Sequence, residues 1–268
     1  MRHSEPQANT SFAQLDQTLQ TLAAHRAQWV ATTVAQRIAI LAEIKECLMP
    51  VAQAWAETAA RKKGIPDGSP LVGEEWLSGP YPIMGYCNQM MLTLSQVANK
   101  HHLDHVPVRE LANGQVVARV LPHSKYDHLL LSGVSVDVWM KPGVTPANLA
   151  ARTASTYDPA SPLHKQGKVA LVLGAGNVAA IAPLDVFYKL FNENQVVILK
   201  MNPVNEYLIE FLEPALKPLI DRGVLAIVRG GVECGQYLCV HDLVEEIHIT
   251  GSGASHDAIV WGVGEEGR

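Results

Sequence analysis

The stretch "VALVLGAGNVAAIAPLDVFYKLFNENQVVILKMNP", residues 169–203, sets two apolar runs, Val169–Leu173 and Val196–Leu199, on either side of a segment read as helix. Short unbroken runs of Val, Ile and Leu read as strands buried on both faces. A helix between them returns the chain so that the second strand lies parallel to the first. Directly after the first run come Gly174, Gly176 and Ala179 in the order G-x-G-x-x-A. That is the order of a dinucleotide-binding turn, in which glycine lets the backbone approach a pyrophosphate.

The alternation continues downstream. Strands are expected over 168–173, 195–200, 224–229 and 244–249, with helices over about 181–192, 204–220 and 233–241. Such a series implies a Rossmann-like α/β fold, a parallel sheet wound with helices, whose ligands sit at the carboxyl ends of the strands. Upstream, Val34, Ile38, Leu41, Ile44, Leu48 and Val51 recur at steps of three and four within an amphipathic helical region from Gln14 to Arg61. Pro50 is expected to break or kink that region. "KGIPDGSP" is turn chemistry, and a further helix is predicted over Tyr86–Val97. "QVVARVL", "HLLLSG" and "VSVDVWM", between 115 and 140, read as strands of a small β arm, and 142–167 as a loop or insertion. The expected organisation is a disordered tail over 1–12, a dinucleotide-binding domain from 13–114 and 167–268, and the arm with its insertion over 115–166.

The composition is that of an ordinary globular chain: 268 residues, 48% hydrophobic and 18% charged, with a formal net charge of -5. Without a basic field or a run of Lys and Arg, nucleic acid and membrane surfaces are not expected partners. The first residues are polar and lack a signal-peptide core, and the uncharged run Val169–Leu184 is interrupted by glycines, Asn177 and Pro183. Cys47, Cys87, Cys234 and Cys239 are too few and too irregular for a disulfide framework, which points to a reducing cytoplasm.

The glycine order alone decides little. A Rossmann site of the usual kind also needs an acid at the end of the second strand for the ribose hydroxyls, and here that strand ends in Lys200. A tight strand-to-helix turn without any ligand is the bland alternative. A third reading covers more of the chain. The run "LVLGAGNVAAIAPL…NENQVVILKMNP…IVRGGVECGQYL…EEIHITGSGASHDAIVWG" resembles the cofactor half of the aldehyde dehydrogenase superfamily. Asn177 falls where that family has the Asn of P-W-N-F-P, and Lys200 follows it by 23 residues, the family's usual spacing. Gly231 and Gly235 match its Gly-rich turn, and Thr250-Gly251-Ser252 its T-G-S; Trp29, Arg37 and "IAILAEIKECL" resemble its first long helix.

The resemblance implies roles. Asn177 would donate a side-chain N–H to the oxyanion that forms when a cysteine thiolate attacks an aldehyde; the alternative is an Asn that holds the turn. Lys200 would contact the adenosine ribose of NAD or NADP, or else mark a solvated strand end. Leu173, Gly174, Gly176, Gly231, Gly235 and Thr250 would line the cofactor, and Gly251 and Ser252 would meet its pyrophosphate, with Ser252 also fit to be an N-cap. The β arm lies where family members make subunit contacts, so a homo-oligomer is implied.

Departures are plain. The family's ribose-binding Glu, three residues beyond the Lys, is Pro203 here, which leaves NADP open. "GAGNVAA" replaces "PWNFP", reminiscent of the related acyl-CoA reductases. The nucleophilic Cys and general-base Glu expected after T-G-S are absent, and Cys234 and Cys239 precede it and read as structural thiols. The expected function is therefore the cofactor-binding part of an NAD(P)-dependent aldehyde dehydrogenase relative, either a fragment or a truncated product. The rivals are an acyl-CoA or fatty-aldehyde reductase and a non-catalytic interaction module. His101, His102, His105, His123 and His128 lack the paired spacing of a zinc site and read as loop residues, and Glu245 and Glu246 as a solvated strand start.

Overall fold

In the computed structural model, which describes residues 9–262, Ser11 ends the irregular start of the chain with a capping box. Its hydroxyl accepts from the Gln14 N–H at 3.3 Å, the Gln14 side chain accepts from the Ser11 N–H at 2.9 Å, and helix α1 (Phe12–Val30) follows. Thr10 is also tied down, since its N–H donates to the Arg229 carbonyl at 3.3 Å and its hydroxyl accepts from the Arg229 N–H at 3.2 Å. Of the expected tail, residues 9–12 are thus held, and 1–8 lie outside the described residues.

Thr33 and Gln36 repeat the capping box for α2 (Val34–Lys62), which runs on through Pro50. The expected break falls instead at 31–33. Proline removes one backbone hydrogen bond, but Pro50 and Met49 are exposed while Leu41, Ile44, Leu48, Ala52 and Trp55 are buried on both sides of it. The packed stripe keeps the helix continuous. Helices α3 (Val72–Leu77) and α4 (Pro80–Gln96) complete this region.

The chain divides into two compact units, Met1–Met91 with Lys165–Arg268, and Leu92–His164. The second contains an antiparallel sheet of β1 (Val108–Glu110), β2 (Val116–Leu121) and β3 (Val136–Trp139) in that order. Between β2 and β3, "HLLLSG" is not a strand: α5 (Lys125–Leu130) occupies its first residues. Ser124 accepts from the Asp127 N–H at 3.1 Å, and the Asp127 carboxylate accepts from the His123 and Ser124 N–H groups at 2.9 and 2.8 Å, so a capping box overrides the β-like run of leucines. The stretch expected as a loop holds α6 (Leu149–Arg152) and two 3-10 turns.

The first unit is built on β4 (Val169–Leu173), β5 (Val196–Lys200), β6 (Leu225–Val228) and β7 (Glu246–Ile249), all parallel, in the order β6-β5-β4-β7. Val169–Val172 and Val196–Leu199 are fully buried, as central parallel strands covered on both faces must be. Helix α1 packs on β4 and β5, and Leu15, Leu19 and Leu22 supply its buried stripe. The crossovers are α7 (Ile181–Phe187), continued by a π turn to Asn192; a 3-10 turn (Pro203–Leu208) with α8 (Ile209–Ala215) and α9 (Lys217–Ile220); and α10 (Val232–Cys239). The helix expected over 204–220 is thus in three pieces, with Pro203, Pro214 and Pro218 punctuating it. Helix α11 (Gly253–Val260) follows β7.

Glu246 is not a solvated strand start. It accepts from Lys189 at 2.5 Å, Gln195 at 2.9 Å and Lys168 at 3.1 Å, and Lys189 also binds Glu193 at 2.5 Å. Burial alone would raise the Glu246 carboxyl, but the hydrogen bonds from Lys189, Lys168 and Gln195 outweigh it and hold it at about 2, below the ordinary 4.5. A depressed carboxyl contributes stability that is complete above its unfolded value and is lost as pH falls through its folded one. Acid denaturation is therefore expected to show loss of stability between pH 4.5 and about 2 that Glu246→Gln reduces; superimposable pH profiles for the two proteins would contradict this.

Candidate functional site

In the sheet order, successive strands run outward from β4 through β5 to β6, and then the chain returns to place β7 on the other side of β4. Open α/β sheets bind ligands outside the carboxyl ends of their strands, where the winding reverses. Here that point lies between β4 and β7. Leu173 is in register with both Lys200 and Ile249, and Lys200 with Val228. The four segments singled out in the sequence, 173–177, 200–203, 228–235 and 249–252, therefore leave the sheet at one edge.

The glycines of the first turn serve packing. Gly174 donates its N–H to the Lys200 carbonyl at 3.0 Å, and a Cβ on it would lie 3.2 Å from the Ala182 Cβ. A Cβ on Gly176 would lie 2.9 Å from the Asn202 amide nitrogen. Asn202 caps the 3-10 turn by accepting from the Val204 N–H at 3.1 Å, and buried Asn205 donates to the Ala175 carbonyl at 3.0 Å. The two asparagines thus bind the β5 end to the β4 turn. Asn177 sits exposed at the bend before α7.

Lys200 is 8% exposed, and its ammonium has no hydrogen-bond partner among the described residues. Burial pushes its pKa down, against the opposing influence of Cys234, Glu206 and Cys239. Burial likewise pushes the Cys234 and Cys239 thiols up, although Lys200 pulls the other way, so neither is poised as a thiolate. The Gly-rich turn contains a glycine that the sequence reading missed. Gly230 has φ +152°, and a Cβ there would come 2.5 Å from the Cys234 Cβ. Gly231 precedes α10 in extended conformation with open space around it, and Gly235 leaves room as far as the Leu173 side chain, 4.0 Å from where its Cβ would be.

Across the switch point, Thr250 is engaged: its hydroxyl donates to Asp185 on α7 at 2.8 Å, and the same carboxylate lies 3.3 Å from the His248 ring nitrogen. Its side chain therefore positions the turn. Ser252 caps α11, accepting from the Ser255 N–H at 3.2 Å, while Gly251 and Ser252 are exposed at the amino end of that helix, where partial positive charge gathers. A cleft of about 580 Å³ lies between residues 9–12 and Gly231–Cys234, beside the Gly-rich turn. Another of about 590 Å³, between α1 and the start of β6, lies away from these residues. Among the described residues, no three His, Cys, Asp or Glu side chains gather as a metal site, and no helix is long and apolar enough to cross a membrane.

No protein family and no curated protein matches the chain by sequence. Solved structures do match in fold. A 3,6-anhydro-L-galactose dehydrogenase is 13% identical, with a TM-score of 0.56 over 94% of this chain and 42% of its own. A Sinorhizobium meliloti protein assigned as a methylmalonate-semialdehyde dehydrogenase, complexed with NAD, is 14% identical, with a TM-score of 0.52 over 94% of this chain and 40% of its own. The glyceraldehyde-3-phosphate dehydrogenase of Methanocaldococcus jannaschii, complexed with NADP, is 12% identical, with a TM-score of 0.53 over 94% of this chain and 44% of its own. The chain thus has the fold of part of these dehydrogenases and spans about two fifths of their length.

The Thr250–Asp185 bond is half-buried and charge-assisted. Thr250→Val, which keeps the shape and removes the donor, is expected to cost about 1–2 kcal/mol in urea denaturation, and Thr250→Ser much less. Equal stability of the Val variant and the native chain would show that the bond contributes nothing.

Proposed function

We propose that this chain is the NAD(P)-binding portion of an aldehyde dehydrogenase-like oxidoreductase. The observation that carries the reading is the meeting of Leu173, Lys200, Val228 and Ile249 in register at the edge where the winding reverses, each followed by one of the matched segments. The residues present suit such a cofactor. Lys200 offers an ammonium with unused donors, Gly235 leaves open space toward Leu173, and the amino end of α11 is exposed for a pyrophosphate. A nicotinamide held there would supply the acceptor for the hydride that an aldehyde loses as it is oxidised. Asn177, exposed at the bend after β4, would present its amide N–H to the oxyanion formed on the way. Gly174 and Gly176 would keep that bend against the β5 end, so that the amide is held by the turn. Oxidation by a thiohemiacetal would need in addition a thiolate and a general base, and the raised thiols of Cys234 and Cys239 do not supply the first. The four cysteines are free, in keeping with a reducing cytoplasm.

A second role, self-association, is favoured by one observation. In the β1–β3 unit, Val134, Val136, Val138 and Trp139 are exposed, as are Tyr126, Leu129 and Leu130 on α5. A homo-oligomer would cover such surface.

Titration calorimetry is expected to give saturable binding of NAD or NADP to the chain, weakened about tenfold or more in Lys200→Ala through loss of charged hydrogen bonds. A folded chain that binds neither would overturn the reading.

A further inference from the structure

Where α2 meets the end of α3, three buried polar atoms have no partner among the described residues. Trp55 on α2 is fully buried, and its indole N–H has no acceptor. Glu75 on α3 is 2% exposed; its Oε1 accepts from the Lys63 ammonium at 2.8 Å, and its Oε2 has no donor. The hydroxyl of Ser78, the residue that ends α3, is buried and equally unpartnered. Nearly all buried polar atoms in folded proteins are hydrogen-bonded, because leaving one unsatisfied forfeits its bonds to water. Three on neighbouring residues therefore call for a common partner.

Gly79 brings them together. A Cβ on it would lie 3.2 Å from the Trp55 indole nitrogen and 2.6 Å from the Glu75 carbonyl oxygen, so the indole reaches the last turn of α3 only because residue 79 has no side chain. Glu75 and Ser78 stand three residues apart on that turn and share one face of it. The same turn is tied to the sheet unit, since the Ser78 carbonyl accepts from the Ala180 N–H at 2.9 Å, just beyond the bend that carries Asn177.

The indole N–H can only donate, the carboxylate oxygen can only accept, and the hydroxyl can do either. A small molecule that accepts from Trp55 and donates to Glu75 while bonding Ser78 completes the set, and water does so with the roughly three hydrogen bonds usual for a buried water. A cation does not suit the place, because the indole N–H turns its positive end inward and Lys63 already balances the Glu75 charge. We infer that Trp55, Glu75 and Ser78 hold one internal water, which fastens α2 to the end of α3 and, through Ser78 and Ala180, steadies the bend of Asn177. The water site stands whether or not a dinucleotide binds.

Two measurements on the native chain test this. A high-resolution crystal structure is expected to show one ordered water within hydrogen-bond distance of Trp55 Nε1, Glu75 Oε2 and Ser78 Oγ. In solution, the chain's five tryptophans each give an indole N–H resonance, and that of Trp55 is expected to show a cross-relaxation peak to water with the sign of a long-lived contact. A direct bond from the indole N–H to Glu75 or Ser78, a metal ion in the water's place, or no such peak would overturn the assignment. Trp55→Phe, which keeps a buried ring and removes the donor, is expected to speed hydrogen exchange of the Ala180 amide about fivefold, the loss of one bridged hydrogen bond. Unchanged exchange at Ala180 in the folded variant would overturn the water's hold on the bend.

Discussion

The first unit depends on one constraint: β4 is hydrogen-bonded to a parallel neighbour on each side, and every parallel neighbour must be reached by a crossover. Two crossovers carry the chain outward to β5 and β6, and the third brings it back past β4 to β7. Such an order puts the switch point between β4 and β7, at the carboxyl ends of those strands, where sheets of this kind take their ligands. Everything read as functional lies on segments that begin at that edge, so the location of the site follows from strand order before any side chain is considered.

Two polar clusters hold this arrangement. At the carboxyl end, Asp185 joins α7 to Thr250 and His248, so the helix on one side of the switch point is tied to the turn on the other. At the start of the chain, buried Arg37 donates to the carbonyls of Trp29, Leu190 and Thr32 at 2.9, 3.2 and 3.2 Å, bonds Asn194, and lies 4.3 Å from the Trp29 ring. Trp29 donates its indole N–H to the same Leu190 carbonyl at 3.0 Å. A guanidinium with five donors can satisfy carbonyls at the end of α1, in the link to α2 and in the connection before β5 together, and a lysine could not do this from one plane. This joins the N-terminal helices to the sheet.

The sheet was legible because its two central strands are unbroken apolar runs and its crossovers carry helical spacing. Burial on both faces leaves no other use for "VALVL" and "VVILK". What the residues do was less legible, because side-chain hydrogen bonds join positions far apart in sequence. Gly176 reads as a phosphate-binding glycine, yet it is the place where Asn202 packs. Thr250 matches a cofactor motif, yet its hydroxyl is committed to Asp185. Glu206 could not be found from spacing, since it is the 3-10 turn that carries its carboxylate to the Gly230 N–H. In α5 and at Pro50, local signals were outweighed, in one case by a capping box and in the other by a continuous buried stripe. The matched segments lie at one edge, which no pairwise spacing could establish.

The central claim is that the edge shared by β4, β5, β6 and β7 is where a dinucleotide binds. Hydrogen–deuterium exchange of the chain with and without saturating NAD reads this directly, segment by segment. The account predicts slowed exchange concentrated in residues 173–178, 200–206, 229–235 and 250–253, with the amino ends of the same strands unchanged. Slowed exchange confined to the cleft between α1 and the start of β6, or to the β1–β3 unit, would contradict it.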